Sequence, residues 1–188
     1  MPSKFVEQAK DQMGAIEDLL KGLPGISGYV DKELRRDADK RLRDLISQQL
    51  EEQKERLLGI QKKLLKGGGL KWLDDVDEAV QKMQNLSDRV RTASYGYAGL
   101  FDAVRVQEDQ LDALHRFDVA PAEQVAAVGD TVNALEAALG NNETLGTIIG
   151  HLTESVAELN RLFDKRREAI LSPDLLTDTS FVPSFGDE

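Results

Sequence analysis

The stretch VAAVGDTVNALEAALGNNETLGTIIGHLTESVAEL, residues 125–159, predicts two helices joined by a very short turn. On both sides of the turn, apolar residues recur at steps of three and four, as on the buried face of an amphipathic helix. Gly140 can end the first helix because glycine tolerates the left-handed conformation of a helix C-terminus. Asn141 or Asn142 can then cap the second helix. The stretch therefore predicts a helical hairpin.

The remainder of the chain shows the same helical periodicity between breaks at glycine and proline. The first break lies within residues 22–28, which contain three glycines and a proline, and the second is the run Gly67–Gly69. Pro121 suits the first position of a helix, because the backbone N–H that proline lacks is not needed there. The predicted elements are a short helix over 3–21, long helices over 30–66 and 72–116, and the helical hairpin over 121–171. Whether the helix over 72–116 is continuous through Gly96 and Gly99 is left open by the sequence. Residues 172–188 contain two prolines and lack helical periodicity, so we predict a disordered acidic and aromatic tail.

These elements place the chain in the all-α class, as an elongated antiparallel bundle of about five helices, two of them long. At 1.5 Å per residue the long helices would measure about 55 and 67 Å, too long for a sphere of this mass. Apolar residues between 73 and 115 follow steps of three and four, typical of a coiled-coil seam. The same residues could be buried within one chain or between two copies. For the Gly146 and Gly150 pair, which allows a close approach of another segment, we favour packing within the chain.

Composition excludes several classes of active site. The 188 residues include no cysteine and only two histidines, so thiolate metal sites, cysteine nucleophiles and multi-histidine metal centres are excluded. The chain has no phosphate-binding glycine motif on a strand and no nucleophile elbow. We therefore predict that the protein is not an enzyme and uses no cofactor. The net charge of −10 argues against nucleic acid as a partner.

Charge is distributed unevenly along the chain. Residues 32–66 carry 11 basic and 7 acidic side chains, whereas residues 101–160 carry 2 basic and 11 acidic ones. A solvated helix face explains the basic cluster most simply. The functional alternative is a docking patch for an acidic partner or anionic lipid, formed by Arg35, Arg36, Lys40, Arg41 and Arg43.

The tail contains large apolar residues that have no periodic helix to join. Such a segment can act as a short recognition motif, which orders on binding. The candidate partner-binding residues are Leu175, Leu176, Phe181, Val182 and Phe185. The alternative is a structural strap that folds back onto the bundle.

The sequence thus favours a cytoplasmic, non-enzymatic helical interaction or scaffold protein. Such a protein would self-associate or bridge protein partners, with the tail as docking peptide. The alternative is a peripheral membrane-surface protein that uses the amphipathic N-terminal helix and the basic stretch 32–43.

Overall fold

The structure, a computed structural model, describes residues 32–67, 69–92 and 108–184. Within these ranges the chain forms helices and no strands, which confirms the all-α, bundle-like part of the prediction. The four α-helices are α1 (Lys32–Gly67), α2 (Leu73–Thr92), α3 (Glu108–Ala137) and α4 (Asn142–Leu171), and the two 3-10 helices are Leu70–Trp72 and Pro173–Thr177. The predicted helix over 3–21 lies outside the described residues, so the count of about five helices stays a prediction.

Apolar side chains from all four helices meet at the end of the molecule that carries the short turns between α1 and α2 and between α3 and α4. We call this the turn end. Its cluster of buried residues consists of Leu57, Ile60, Leu64, Val76, Ala79, Val80, Met83, Val128, Val132, Leu135, Leu145, Ile149, Leu152 and Val156. These positions recur at three- and four-residue steps on each helix, so each helix buries one face.

Two further clusters follow along the bundle. The middle cluster again uses all four helices and consists of Leu42, Ile46, Leu50, Leu86, Val90, Ala122, Val125, Leu159 and Phe163. The last cluster consists of Ala113, Leu114, Phe117, Ala169, Ile170 and Leu176. Helices α1 and α3 approach the turn end as their numbering rises, whereas α2 and α4 leave it, so helices that follow each other in sequence are antiparallel.

The order of these clusters along the helices shows that the predicted long helix over 72–116 is wrong. Helix α2 ends at Thr92, and α3 begins at Glu108 and runs in the opposite direction. A single continuous helix could not place both Val90 and Ala122 in the middle cluster with reversed direction. The residues between 92 and 108 lie outside the described part of the chain.

Helix α3 also passes through Pro121, where the sequence predicted the start of a new helix. Proline in a helix interior removes one backbone hydrogen bond and opposes continuation. Here Phe117 and Val125 lie one turn to either side of it, and both are buried in the core. Burial of this continuous apolar face stabilises one helix across the proline, so the predicted boundary between 116 and 121 is wrong.

The turn between α3 and α4 has the predicted chemistry. Gly140 adopts a φ of 94°, the left-handed region that glycine enters without steric penalty. The side chain of Asn141 accepts a hydrogen bond from the backbone N–H of Glu143 at 3.2 Å and so caps α4.

Gly146 explains how closely the two turns approach each other. A Cβ atom at this position would lie 2.5 Å from the Cη2 atom of Trp72, whereas a Cβ at Gly150 would meet nothing within 4 Å. Because Gly146 has no side chain, the indole ring of Trp72 can pack against the backbone of α4 at this position. Packing within the chain accounts for the first glycine of the pair, as favoured from the sequence.

Polar contacts join α1 to α3 beside the turn-end cluster. Arg56 Nη2 donates to Asn133 Oδ1 at 2.7 Å and to Glu136 Oε2 at 3.2 Å, and Lys63 Nζ donates to Glu136 Oε1 at 2.6 Å. The pKa of Glu136 is lowered, chiefly by the hydrogen bond from Lys63 and further by Arg56, against the opposing effect of burial.

Candidate binding site at the strap end

The apolar cluster at the end of the molecule opposite the turns is built from the first turns of α3 and the last turns of α4. Leu114 and Phe117 of α3 are fully buried, and Ala169 and Ile170 of α4 are buried beside them. No short loop joins these two helix ends, since the connection between α3 and α4 lies at the turn end. Another element is therefore needed to cover this apolar surface.

Residues 172–184 supply that element, and we call them the strap. Pro173–Thr177 forms a 3-10 helix directly after α4, and its Leu176 is only 3% exposed in the cluster with Phe117. Gln110 Nε2 donates to the carbonyl oxygen of Pro173 at 3.3 Å. The sequence predicted a disordered tail over 172–188; the structure differs for the strap, because Leu176 finds an apolar site on the bundle.

The second half of the strap is held through Phe181. Its ring lies 5.7 Å from that of Phe117, measured between centroids, at an interplanar angle of 55°. Lys165 Nζ lies 5.3 Å from the centroid of the Phe181 ring and donates to its carbonyl oxygen at 3.3 Å. A tilted aromatic pair and a cation near the ring are both weakly attractive arrangements.

A local turn shapes the strap between these two attachments. Ser180 donates to Asp178 Oδ1 from its backbone nitrogen at 2.9 Å and from its hydroxyl at 2.7 Å. The side-chain hydrogen bond from Ser180, with the backbone one, lowers the pKa of Asp178. The N–H groups of Phe181 and Val182 both donate to the carbonyl oxygen of Asp178. The turn directs Phe181 back towards α3.

A buried ion pair lies beneath the strap end, between α3 and α4. Arg166 Nε and Nη2 donate to Asp118 Oδ1 at 2.8 and 2.6 Å, and both residues are almost fully buried. Such a pair is destabilising to break, because the remaining charge is left in an apolar environment. It links the helices in one register at this end.

A cavity of about 490 Å³ separates the strap from α3. Ala113 and Leu176 form a buried apolar floor, and the charged side chain in the wall is that of Arg116. The other lining residues belong to the strap and are Thr177, Thr179, Val182, Pro183 and Ser184. The cavity therefore combines apolar surface with a guanidinium group and three hydroxyl groups, a mixture typical of ligand sites.

Four of the five apolar residues predicted to bind a partner belong to the strap. Leu176 is buried, and Phe181 and Val182 are half-buried against the bundle. Leu175 is also half-buried. Phe185 lies beyond the described residues. Their predicted role in partner binding stays a prediction, but in this structure three of them already contact the chain's own bundle.

The predicted basic patch lies near the start of α1. Lys40 and Arg41 are exposed and Arg43 is half-buried, so the structure places two of its charges in solvent. The side chains of Arg35 and Arg36 are not among those described. Its binding role also stays a prediction.

Sequence reasoning missed the ion pair and the charged cavity wall. Asp118 and Arg166 are separated by 48 positions, and no local pattern relates them. One usable signal was present, since Arg166 follows Phe163 on the apolar face of α4 at a three-residue step. A charged residue on a buried face needs a partner.

Two other surface features lie away from the strap. A polar groove of about 400 Å³ between α3 and α4 is lined by Gln124, Thr131, His151, Glu154, Ser155, Glu158 and Arg161. At the turn end, Leu65 and Leu70 are 55% and 62% exposed. Lys66 and Lys71 are exposed beside them.

Two kinds of site are absent from the part of the chain that the structure describes. Among the described side chains, no group of three or more histidine or acidic residues is arranged to hold a metal ion. Within the same part of the chain, no helix is both long and apolar enough to cross a membrane. No protein-family model, no curated protein and no solved structure matches this chain.

Proposed function

We propose that this protein is a cytoplasmic, non-enzymatic helical interaction protein that binds a protein partner through its strap. In the free chain the strap covers the end of the bundle. When the strap is released, its apolar side chains bind the partner, and the uncovered surface around Phe117 becomes available as well. The observation that carries the proposal is the seating of the strap's apolar residues on the bundle through a single buried side chain, Leu176.

The strap is held more weakly than the helices. Full burial of one leucine contributes about 1.5–3 kcal/mol. Ordering each backbone residue opposes this by about 1–2 kcal/mol. The half-buried Phe181 and Val182 and two hydrogen bonds of 3.3 Å add to this attachment. Segments with so few buried contacts open at lower free energy than the core.

Strap exchange can be tested with a labelled synthetic peptide of residues 172–188. The peptide is titrated into the full chain and into a double variant, Leu176→Ser with Phe181→Ser, while fluorescence anisotropy reports binding. We expect the variant to bind the peptide more tightly than the unaltered chain does, because its own strap no longer competes. Leu171→Ser is the matched control, since Leu171 adjoins the strap but is 75% exposed.

A peptide that carries the same two serine substitutions should not bind either protein. Circular dichroism of the double variant must show the helicity of the unaltered chain. If the helices melt together with the strap, or if the peptide does not bind the variant, the strap is a structural part of the bundle and the proposal fails.

A second candidate function, binding at a membrane surface, is favoured by the turn end. Leu65 and Leu70 extend into solvent, with Lys66 and Lys71 beside them. Exposed leucines can enter the boundary of a bilayer while lysines contact anionic headgroups. This candidate uses different residues from the predicted membrane-binding elements, which are the N-terminal helix, outside the described residues, and the stretch 32–43.

Co-sedimentation with vesicles of phosphatidylcholine and phosphatidylserine tests the second candidate. Binding at low salt should fall in the variant Leu65→Ser with Leu70→Ser. It should also weaken as salt screens the lysine charges. Binding that the two substitutions leave unchanged would assign any membrane contact to another part of the chain.

A further inference from the structure

The surface that the strap covers is complementary to the strap itself. Leu176 occupies an apolar site, whose members come from α3 and α4 and are Ala113, Leu114, Phe117, Ala169 and Ile170. The ring of Phe181 lies against that of Phe117, and the Phe181 carbonyl oxygen accepts a hydrogen bond from Lys165. All of these groups belong to the same chain, so every copy of the protein carries both the strap and the site that fits it.

We propose that the released strap binds the strap end of a second copy of this chain, and that two copies exchange their straps reciprocally. This inference rests on the release of the strap proposed above. An open copy exposes both its strap and the site beneath it, and a second open copy exposes the same two surfaces. Reciprocal exchange covers both sites with the contacts of the single chain, and an exchange of identical elements gives a closed, two-fold symmetric pair.

The strap can be redirected at Ser172, which joins it to α4. Ser172 follows the last residue of α4 and adopts a φ of −135° and a ψ of 82°. Its N–H donates to the carbonyl oxygen of Glu168 at 2.8 Å. Pro173 disfavours the helical conformation at Ser172 and leaves extended conformations accessible. Rotation about ψ of Ser172 therefore turns the whole strap and breaks no hydrogen bond within α4.

Leu171, beside this hinge, gives a second indication of an exchanged pair. It is 75% exposed, more than Leu65 or Leu70 at the turn end. Leu176 is five residues further along, a distance of at most about 18 Å in an extended chain. Because the site for Leu176 in the second copy lies beside the end of that copy's own α4, exchange brings the two hinges close together. The exchanged pair can thus bury the two Leu171 side chains that single chains leave in water.

Exchange between copies competes with closure of each strap on its own bundle. Both states make the same strap contacts, so closure within the chain is favoured at low concentration. A short tether holds its segment at an effective concentration on the order of millimolar. We therefore expect a monomer at micromolar concentration and a dimer as the chain approaches millimolar concentration.

Sedimentation equilibrium of the full chain, at concentrations from about 10 μM to 1 mM, measures this change in mass. We expect conversion of the monomer into a dimer and into no larger species, because reciprocal exchange leaves no site open. Leu171→Ser should weaken dimerisation by about tenfold or more, the factor expected when burial of a leucine is lost. Leu65→Ser is the matched control, since it removes an exposed leucine at the turn end, and should leave dimerisation unchanged.

Two complementary variants separate the strap from its site. Leu176→Ser with Phe181→Ser removes the contacts of the strap and leaves the site intact, whereas Ala113→Glu places a charge in the site of Leu176 and leaves the strap intact. Each variant alone should remain monomeric, and their mixture should form a one-to-one complex. If circular dichroism shows that Ala113→Glu does not fold, Lys165→Glu replaces it, because it removes the donor to Phe181 without altering the buried cluster.

The inference fails and the proposed function stands if the labelled strap peptide binds the strap-deficient variant, while the full chain stays monomeric up to about 1 mM and the mixture forms no complex. The partner is then a different protein. Dimerisation that Leu176→Ser with Phe181→Ser leaves unchanged also overturns the inference and assigns self-association to another surface, such as Leu65 and Leu70.

Species that keep growing with concentration would show an open series of copies, which overturns reciprocal exchange. If the labelled peptide does not bind the strap-deficient variant, the proposed function and this inference both fail.

Discussion

The turn end and the strap end bury apolar side chains by different means. At the turn end all four helices contribute to one large cluster, and turns of a few residues hold neighbouring helices together. At the strap end a smaller cluster joins α3, α4 and Leu176 of the strap. One end is thus closed by covalent connections, while the other is closed by residues 172–184, which we propose detach without unfolding a helix. This difference between the two ends is the reason why we propose partner binding at the strap end.

Loss of the buried ion pair at the strap end should have the largest effect on the free energy of unfolding. Arg166→Met should lower the free energy of unfolding by about 3–5 kcal/mol, because the Asp118 carboxylate is left buried without its arginine. Urea unfolding followed by circular dichroism measures the change. The double variant Arg166→Met with Asp118→Leu should regain most of the lost free energy of unfolding. A single variant as stable as the unaltered chain would show that water reaches Asp118 and that this end is already open.

Two leucine truncations compare the ends directly. Leu152→Ala in the turn-end cluster should lower the free energy of unfolding by about 2–5 kcal/mol through loss of burial and a residual cavity. Leu176→Ala removes the same atoms, but the strap can detach independently, so the global loss should be smaller. Hydrogen exchange should then rise in residues 173–184 and stay unchanged in the helices. Equal global losses would refute the difference between the ends.

Close packing at the turn end is tested by glycine substitution. Gly146→Ala should lower the free energy of unfolding by about 1–3 kcal/mol, because the new Cβ collides with the Trp72 ring. Gly150→Ala on the same helix meets no neighbour and should instead raise it by about 0.5–1 kcal/mol. Thermal melts of the two variants should therefore shift in opposite directions. Shifts of the same sign would mean that Trp72 can move away from α4.

The smallest effect concerns pH at the turn end. The pKa of Glu136 in the folded chain lies below its ordinary value of 4.5, so its contribution to stability is present above that value and is lost as pH falls through the lowered pKa. Glu136→Gln should reduce the fall in stability between about pH 5 and pH 3, by less than about 1 kcal/mol because the pair is partly exposed. The midpoints of urea unfolding, measured across this pH range, report the change in stability. Glu143→Gln is the control for the loss of one negative charge at this end. If Glu136→Gln leaves the slope of stability against pH unchanged, the lowered pKa of Glu136 is contradicted.

Much of the local structure was predictable. Gly140 and Asn141 mark the α3–α4 turn because a helix must be ended and the next one capped by residues at the turn itself. The apolar periodicity of α1, α2 and α4 likewise predicted which faces are buried. Such features depend on neighbours within a few positions, which the sequence displays directly.

The predicted boundary at Pro121 failed for the opposite reason. Proline in the interior of a helix destabilises that helix locally by about 3 kcal/mol. Burial of Phe117 and Val125 on the same face is a tertiary effect that outweighs it. The strap was offered by the sequence only as the alternative to a recognition motif, since nothing within residues 172–184 indicates that Leu176 has a site between α3 and α4.

The sequence by itself determined that this protein is helical, where two of its tight turns lie and which apolar residues face a core. Helix periodicity and capping are short-range properties, set by backbone sterics and hydrogen bonding between near neighbours. Only the tertiary structure decided that α3 runs through Pro121, that Asp118 pairs with Arg166, and that the strap encloses a cavity beside Arg116. These features join residues distant in the chain, and their energies come from burial and charge pairing that exist only once the helices have packed.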